Sequence, residues 1–293
     1  MEAQHEPVLL QEVIKLLSPQ KGDFAVDCTV NGGGHATAIL EKIGETGRLL
    51  GLDWDSALAA RAKKHFAADG RVMIKNANYA SLPKILSSGN FPAPNIVLAD
   101  LGFSSAQLES GRGFSFQKDE PLLMTYNKSE SSAAELLNSL PEDEIADIIF
   151  RYGGERKSRR IARSIIEARR KERIMTTAQL AEIVAKSLGR GYERGRIHPA
   201  TRTFQAIRIA VNKEMQNLET LLAELPNIMA SNGRVAIITF HSLEDALVKK
   251  AFRQFAKDGR AELLTKKPIG PSREEVMRNP RSRSAKVRGI CFF

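Results

Sequence analysis

The stretch Phe24-Ala25-Val26-Asp27-Cys28-Thr29-Val30-Asn31-Gly32-Gly33-Gly34-His35 decides the fold. Its first five residues read as a short buried strand. Three glycines follow, and Ala36 to Ile43 then shows helical spacing. Strand, glycine turn and helix make one βα unit, and the unit recurs outward from there. Leu49-Leu50-Gly51-Leu52 reads as a second strand, Ala57 to Phe66 as a helix, Val72-Met73-Ile74 as a third strand and Ile96-Val97-Leu98-Ala99 as a fourth. Strands separated by helices require right-handed crossovers, hence an α/β fold with a parallel, doubly wound sheet.

The alternation stops near Gly102. The chain reads as loop to Asn127, then as helices over Ala133–Leu140, Glu142–Tyr152, Arg159–Arg173 and Thr177–Leu188. A long helix from Thr201 towards Leu225 precedes a late strand, Arg234 to Phe240, which looks like the remainder of the sheet. The expected organisation is a first sheet portion at 1–106, an inserted helical domain at 107–209, and a second sheet portion with a basic C-terminal tail at 210–293.

Charge follows the same division. The 293 residues carry a net +10, distributed as −1 over 1–106, +5 over 107–209 and +6 over 210–293. A neutral scaffold beside two basic parts points to a polyanionic partner such as RNA; a basic protein without one is the alternative on charge alone. Nine basic residues lie between Arg156 and Arg173, Arg159, Arg160 and Arg163 among them. No apolar run is long enough to span a membrane, and Met1 to Pro7 is not a signal peptide. Two distant cysteines, Cys28 and Cys291, exclude a disulfide framework and a multi-cysteine zinc site, and they fit the cytoplasm. Nothing in the residues fixes whether the chain is a monomer or a homodimer.

The glycine turn is neither a phosphate loop, which needs Lys-Ser/Thr after its glycines, nor a G-x-G-x-x-G fingerprint. An acid before the glycines suits S-adenosylmethionine, whose amino-acid end needs polar contacts rather than a phosphate cradle; a tight turn without a ligand is the other reading. Asp53, ending the second strand, is placed to accept hydrogen bonds from ribose hydroxyls. Asp100, ending the fourth, sits where open α/β sheets bind ligands. It is expected to hold an exocyclic amine for methyl transfer, or else to be a strand-end turn acid. His241, after the late strand, is expected to contact the base or take the proton released from nitrogen. Ser242 is expected to cap a helix running through Asp245. Phe103, Phe114, Phe116 and Tyr126 are candidates for stacking on an extruded base.

Together Gly32-Gly33-Gly34-His35, Asp100-Leu101-Gly102-Phe103-Ser104-Ser105-Ala106-Gln107, Arg112-Gly113-Phe114-Ser115-Phe116, His198 to Arg208 and Phe240-His241-Ser242-Leu243-Glu244-Asp245 resemble one family closely. It is the MraW/RsmH family of S-adenosylmethionine-dependent methyltransferases, which act on a cytidine N4 amine in small-subunit ribosomal RNA. The similarity runs from His5 to Ala285. It implies a Rossmann-like class I methyltransferase fold with an inserted helical domain. By position it places Gly33, Gly34 and His35 against the donor, Asp53 on its ribose and Tyr79 on its adenine, with Asp100 and Gln107 completing the pocket. It also implies small-subunit ribosomal RNA, within an assembled subunit, as partner.

The chain departs from that pattern at a few places. Asn31 stands where glycine is usual; asparagine tolerates left-handed angles. Pro121-Leu122-Leu123-Met124-Thr125-Tyr126-Asn127 replaces Pro-Leu-Asp-Met-Arg-Met-Asp, removing three charges, and Gly154 replaces a glutamate. Such changes leave a second expectation open: an RNA-binding assembly factor of the same fold with weak or retargeted activity.

Overall fold

The computed structural model describes residues 7–102, 104–127, 131–189, 192 and 198–293. Phe103, His5 and Glu6 therefore lie outside the described residues, as does most of the glycine-rich loop near 190–197. The strands are β1 (Phe24–Asp27), β2 (Arg48–Asp53), β3 (Val72–Asn76), β4 (Ile96–Asp100), β5 (Arg234–Thr239), β6 (Ala261–Leu263) and β7 (Lys286–Phe292). Helices α1 (Leu10–Leu17), α2 (Gly34–Ile43), α3 (Ser56–His65) and α4 (Leu82–Ser88) interleave with the early strands. Then come α5 (Ser105–Leu108), α6 (Ala133–Ser139), α7 (Glu142–Gly153), α8 (Ser158–Arg169), α9 (Thr177–Leu188) and α10 (Thr201–Val211). The chain ends with α11 (Glu214–Ile228), α12 (Ser242–Lys257) and α13 (Arg273–Arg278). Among the described residues, no helix is long and apolar enough to cross a membrane.

Two compact units result, Met1–Ser104 with Met215–Phe293, and Ser105–Glu214. In the first, one sheet runs β3-β2-β1-β4-β5-β7-β6. Strands β1 to β5 pair in parallel, and β7 is antiparallel to both β5 and β6. The central strands are apolar because both faces are covered. Successive side chains alternate between the faces. Ala25, Leu49 and Ile96 pack with Val13, Ile39, Ile43 and Ala62 on one side. Val26, Leu50 and Val97 pack with Leu82, Leu222, Val248 and Phe252 on the other. The strand order reverses between β1 and β4, so the carboxyl ends of these strands open a crevice.

The C-terminal segment is no tail. Residues 286–292 form β7, inserted between β5 and β6, with Val235 opposite Ile290 and Thr239 opposite Lys286. Basic residues masked this strand, yet Arg288 is buried and its Nε and Nη2 donate to the Asp245 carboxylate at 2.8 and 3.2 Å.

The second unit is helical around its own core, in which Ile145, Ile149, Ile161, Ile165, Leu180, Val184 and Ile207 meet. Ser132 with Glu135, and Thr176 with Gln179, form capping boxes that start α6 and α9. The expected boundaries at 106/107 and 209/210 differ from the observed 104/105 and 214/215. At the second, α10 runs on and Asn212 belongs to the insertion: its Nδ2 donates to the Met124 carbonyl at 2.7 Å, and its Oδ1 accepts the Tyr126 N–H at 2.9 Å. The helix expected to continue from Thr201 towards Leu225 breaks here, with Asn212 as C-cap and Lys213 at φ +50°.

Candidate active site

The first unit brings together, at the carboxyl ends of neighbouring parallel strands, Asp27 of β1, Asp53 of β2 and Asp100 of β4. Around them lie the turn 28–33 and the start of α2. Asn31 adopts φ +47°, the left-handed geometry expected of a glycine substitute, and its N–H donates to Asp53 Oδ2 at 2.9 Å. Asp53 Oδ1 accepts the Asp55 N–H at 2.9 Å. Each oxygen keeps a lone pair for a further donor. Gly33, at φ +84°, is the N-cap of α2. Gly34 is glycine for a reason other than a ligand: a Cβ there would lie 2.3 Å from Cγ of Pro7. The segment entering α1 thus packs onto the turn. His35 ties it down further, since its Nε2 faces the Val8 carbonyl at 3.0 Å and must carry the proton.

Asp100 is coupled to the same turn. Its backbone N–H donates to Thr29 Oγ1 at 2.7 Å, and its Oδ1 accepts the Gly102 N–H at 3.2 Å. His35 Nδ1 stands 3.9 Å from its Oδ2. Gly102 lies flat against Phe240; a side chain there would meet that ring at 2.5 Å. Absence of a Cβ is what lets the loop after β4 abut the loop after β5. Thr29 was not singled out by sequence reasoning, because a threonine in a turn carries no distinctive spacing.

The three acids share one electrostatic condition. Burial lifts Asp27 to about 7, against the N–H bond from Thr29 and aided by the charge of Asp100. Burial likewise lifts Asp53 to about 7, opposed by the N–H groups of Asp55 and Asn31. Asp100 rises to about 7 from burial, with the Gly102 N–H opposing and Glu244 adding to it. Desolvation outweighs the hydrogen bonds at each site. Next to Asp27, the Cys28 thiol is pushed up as well, first by burial and then by the Asp27 charge, and is no nucleophile. Three crowded carboxyl groups short of donors fit a ligand that brings hydroxyls and positive charge.

Tyr79 opens a short 3-10 turn after β3 and packs partly buried on the sheet core beside Leu82. Asn76 Nδ2 donates to the Asp53 carbonyl at 2.8 Å and links the ends of β2 and β3. Gln107 is buried within α5, in the second unit.

His241 takes the capping role expected of Ser242. It, and not Ser242, is the N-cap of α12: its Nδ1 accepts the Glu244 N–H at 3.3 Å, and Glu244 Oε2 accepts the N–H groups of Phe240 and His241 at 2.8 and 3.2 Å. Nε2 lies 3.1 Å from Glu244 Oε1, within ion-pair reach but misaligned for a hydrogen bond, and finds no such partner among the described residues. Ser, Thr, Asp and Asn are the usual caps, so this role was hidden in the residue type.

In the insertion, the described aromatic candidates are packed rather than free. Phe114 is buried and stacks on Tyr126 with centroids 5.4 Å apart. Phe116 stacks on His198 at 4.5 Å and meets Phe204 edge-on at 4.9 Å. The altered loop is firmly held: Arg112 Nη1 donates to the Thr125 carbonyl at 3.2 Å, and the Tyr126 hydroxyl donates to Glu214 Oε1 at 3.2 Å. Gly154 is the left-handed C-cap of α7, at φ +63°. On α8 and the turn before it, Arg156, Lys157, Arg159, Arg160 and Arg163 are exposed. Arg169 instead turns inward, donating to the Leu137 and Leu140 carbonyls at 2.7 Å each.

The model of the MraW methylase family matches residues 2–292. Proteins named ribosomal RNA small subunit methyltransferase H are similar over nearly the full length. That of Syntrophobacter fumaroxidans is 41% identical, covering 98% of this chain and 96% of its own. That of a Synechococcus strain is 46% identical, covering 97% and 91%. A solved SAM-dependent methyltransferase from Aquifex aeolicus aligns over 98% of this chain and 90% of its own, at 9% identity and a TM-score of 0.43.

Proposed function

The chain belongs to the MraW methylase family, and from that premise we propose that it transfers a methyl group from S-adenosylmethionine to the N4 amine of a cytidine in small-subunit ribosomal RNA. The observation that carries the reading is the convergence of Asp27, Asp53 and Asp100 on one glycine turn, the first two buried, the third largely so, and each raised to about 7. The donor's ribose hydroxyls and ammonium add hydrogen-bond donors to the backbone N–H groups that these carboxyl groups already accept. Asp53 takes the ribose, Asp27 and the Gly33–His35 turn the amino-acid end, and Tyr79 the adenine. When bound, the donor contributes a methyl electrophile.

The chain's own residues do the rest. A cytosine amine is a poor nucleophile because its lone pair is delocalised into the ring. Asp100 accepts one amine hydrogen and so returns electron density to nitrogen while fixing the line of approach. The same carboxylate is placed to take the proton released after transfer. With Nδ1 of His241 committed to the helix cap, His241 serves by setting the start of α12. The exposed cations at 156–163 attract the RNA backbone. In this reading the reaction runs in the cytoplasm, on RNA of an assembled subunit.

The test is to incubate the protein with labelled donor and small subunits lacking the modification. Label should enter the ribosomal RNA and saturate near one methyl per subunit. No incorporation into RNA, with active donor binding, removes the reading.

A further inference from the structure

A cavity of about 540 Å³ on the insertion has mixed charge in its walls, including an Lys186–Glu182 ion pair at 2.6 Å. A second, of about 530 Å³, is different: no aspartate or glutamate lines it. Its walls come from the loop after β5 and from the segment leading into β7, both parts of the first unit. They include His241, Ser242, Arg283, Ser284 and Lys286. Lys286 and Arg283 are exposed, so their charges are available to solvent-borne anions. Lys286 is partly neutralised, with Nζ 3.7 Å from Asp245 Oδ2, whose carboxylate is already bound by Arg288. Among the described residues Arg283 makes no ion pair or hydrogen bond. Beside them lies His241, whose side chain is 10% exposed and whose Nε2 has no hydrogen-bond partner among the described residues.

The cavity's place in the sheet gives it meaning. Lys286 pairs with Thr239 in β5, and the preceding residue of β5, Ile238, pairs with Asp100 in β4. Two strand spacings, about 10 Å, separate β4 from β7 along that edge. An anion held here lies near the rim where the amine would be presented, at a distance suited to the backbone next to a reacting nucleotide.

Building on the RNA reading above, we propose that this cavity binds a phosphodiester of the substrate RNA adjacent to the target nucleotide, with Arg283 as its principal charge, Lys286 as a second, and the Ser242 and Ser284 hydroxyls as neutral donors. Arginine suits this task because its planar fork meets two phosphate oxygens at once. The contact fixes register and carries no base identity.

The experiment compares wild type, Arg283→Glu and Lys250→Glu. Lys250 is an exposed cation on α12 that does not line the cavity, so it controls for net charge. Affinity for small-subunit ribosomal RNA is measured over a salt series, with donor affinity measured in parallel. Arg283→Glu should weaken RNA binding on the order of tenfold more than Lys250→Glu, and flatten the log–log salt dependence by about 0.7 for one lost phosphate contact. Donor affinity should be unchanged, which also shows the variant folded. Arg283→Lys should recover part of the loss. Equal RNA affinity and equal slope in the two glutamate variants overturns the proposal. So does a result in which inorganic phosphate binds through Arg283 but RNA affinity ignores it, which marks a small-anion site. Failure of the wild type itself to bind ribosomal RNA would instead defeat the wider functional reading.

Discussion

His241 and Glu244 cap each other at the start of α12: Nδ1 of the histidine accepts the Glu244 N–H at 3.3 Å, and Glu244 Oε2 accepts the His241 N–H at 3.2 Å. A histidine after the last parallel strand invites assignment as a base. Its Nδ1 is instead spent on the backbone, which separates two roles that mutation can distinguish.

His241→Ala should lower stability by about 1 kcal/mol, the usual worth of an N-cap. His241→Asn, which can cap, should recover most of that in thermal denaturation and keep turnover near wild type. A loss of 10²–10⁴ in rate in the asparagine variant, with stability intact, would restore the histidine as a general base.

Donor affinity should depend on pH through the three acids. Hydroxyl and ammonium donors favour the ionised carboxylates, so binding lowers pKa values that stand at about 7 in the free protein and expels protons. Affinity should therefore tighten from pH 6 to 8. Calorimetry in buffers of different ionisation enthalpy should register proton release. Flat or weakening affinity over that range contradicts the assignment.

The free protein should show the complementary effect. Each acid holds its proton more tightly folded than unfolded, where the ordinary value is 3.8. That contribution to stability is complete below about pH 4 and is lost as pH rises through about 7. Asp53→Asn should shallow this decline, and an unchanged slope would remove Asp53 from the group.

The glycine turn has its own test. Asn31→Gly should fold and bind donor normally. Asn31→Val, with a branched Cβ at φ +47°, should cost roughly 1–2 kcal/mol and displace the N–H bound to Asp53. Equal stability of the two variants would mean that the turn does not hold this geometry in solution.

What was legible follows from where the information sits. β1 and β4 were readable because residues such as Ala25, Val26, Ile96 and Val97 are apolar for both faces of one sheet. The acids at the strand ends were readable by position after those runs. β7 was not, because the pairing of Arg288 with Asp245 is a tertiary fact that turns an apparent basic tail into a core strand. The break after α10 was equally hidden: Asn212 stops the helix by bonding a loop nearly ninety residues earlier. The surroundings of Phe114 and Phe116 were hidden for a related reason. Their sequence neighbourhood says aromatic, and only packing shows that Phe114 stacks on Tyr126 and that Phe116 meets His198 and Phe204.

The basic face of the insertion should govern RNA affinity independently of the donor. Reversing Arg159, Arg160 and Arg163 to glutamate should lower RNA affinity strongly and flatten its salt dependence, while donor affinity stays near wild type. Arg163 also lies 3.8 Å from Glu142, a pair too exposed for its loss to unfold the unit. Unchanged RNA affinity would move the RNA surface elsewhere.

The most direct test of the central claim is the identity of the methylated nucleoside. Ribosomal RNA from small subunits treated with the protein and labelled donor is digested to nucleosides and separated by mass spectrometry. Label in N4-methylcytidine, abolished by Asp100→Ala, is the predicted result. Label on cytosine C5 or on a ribose oxygen would contradict the amine-transfer account.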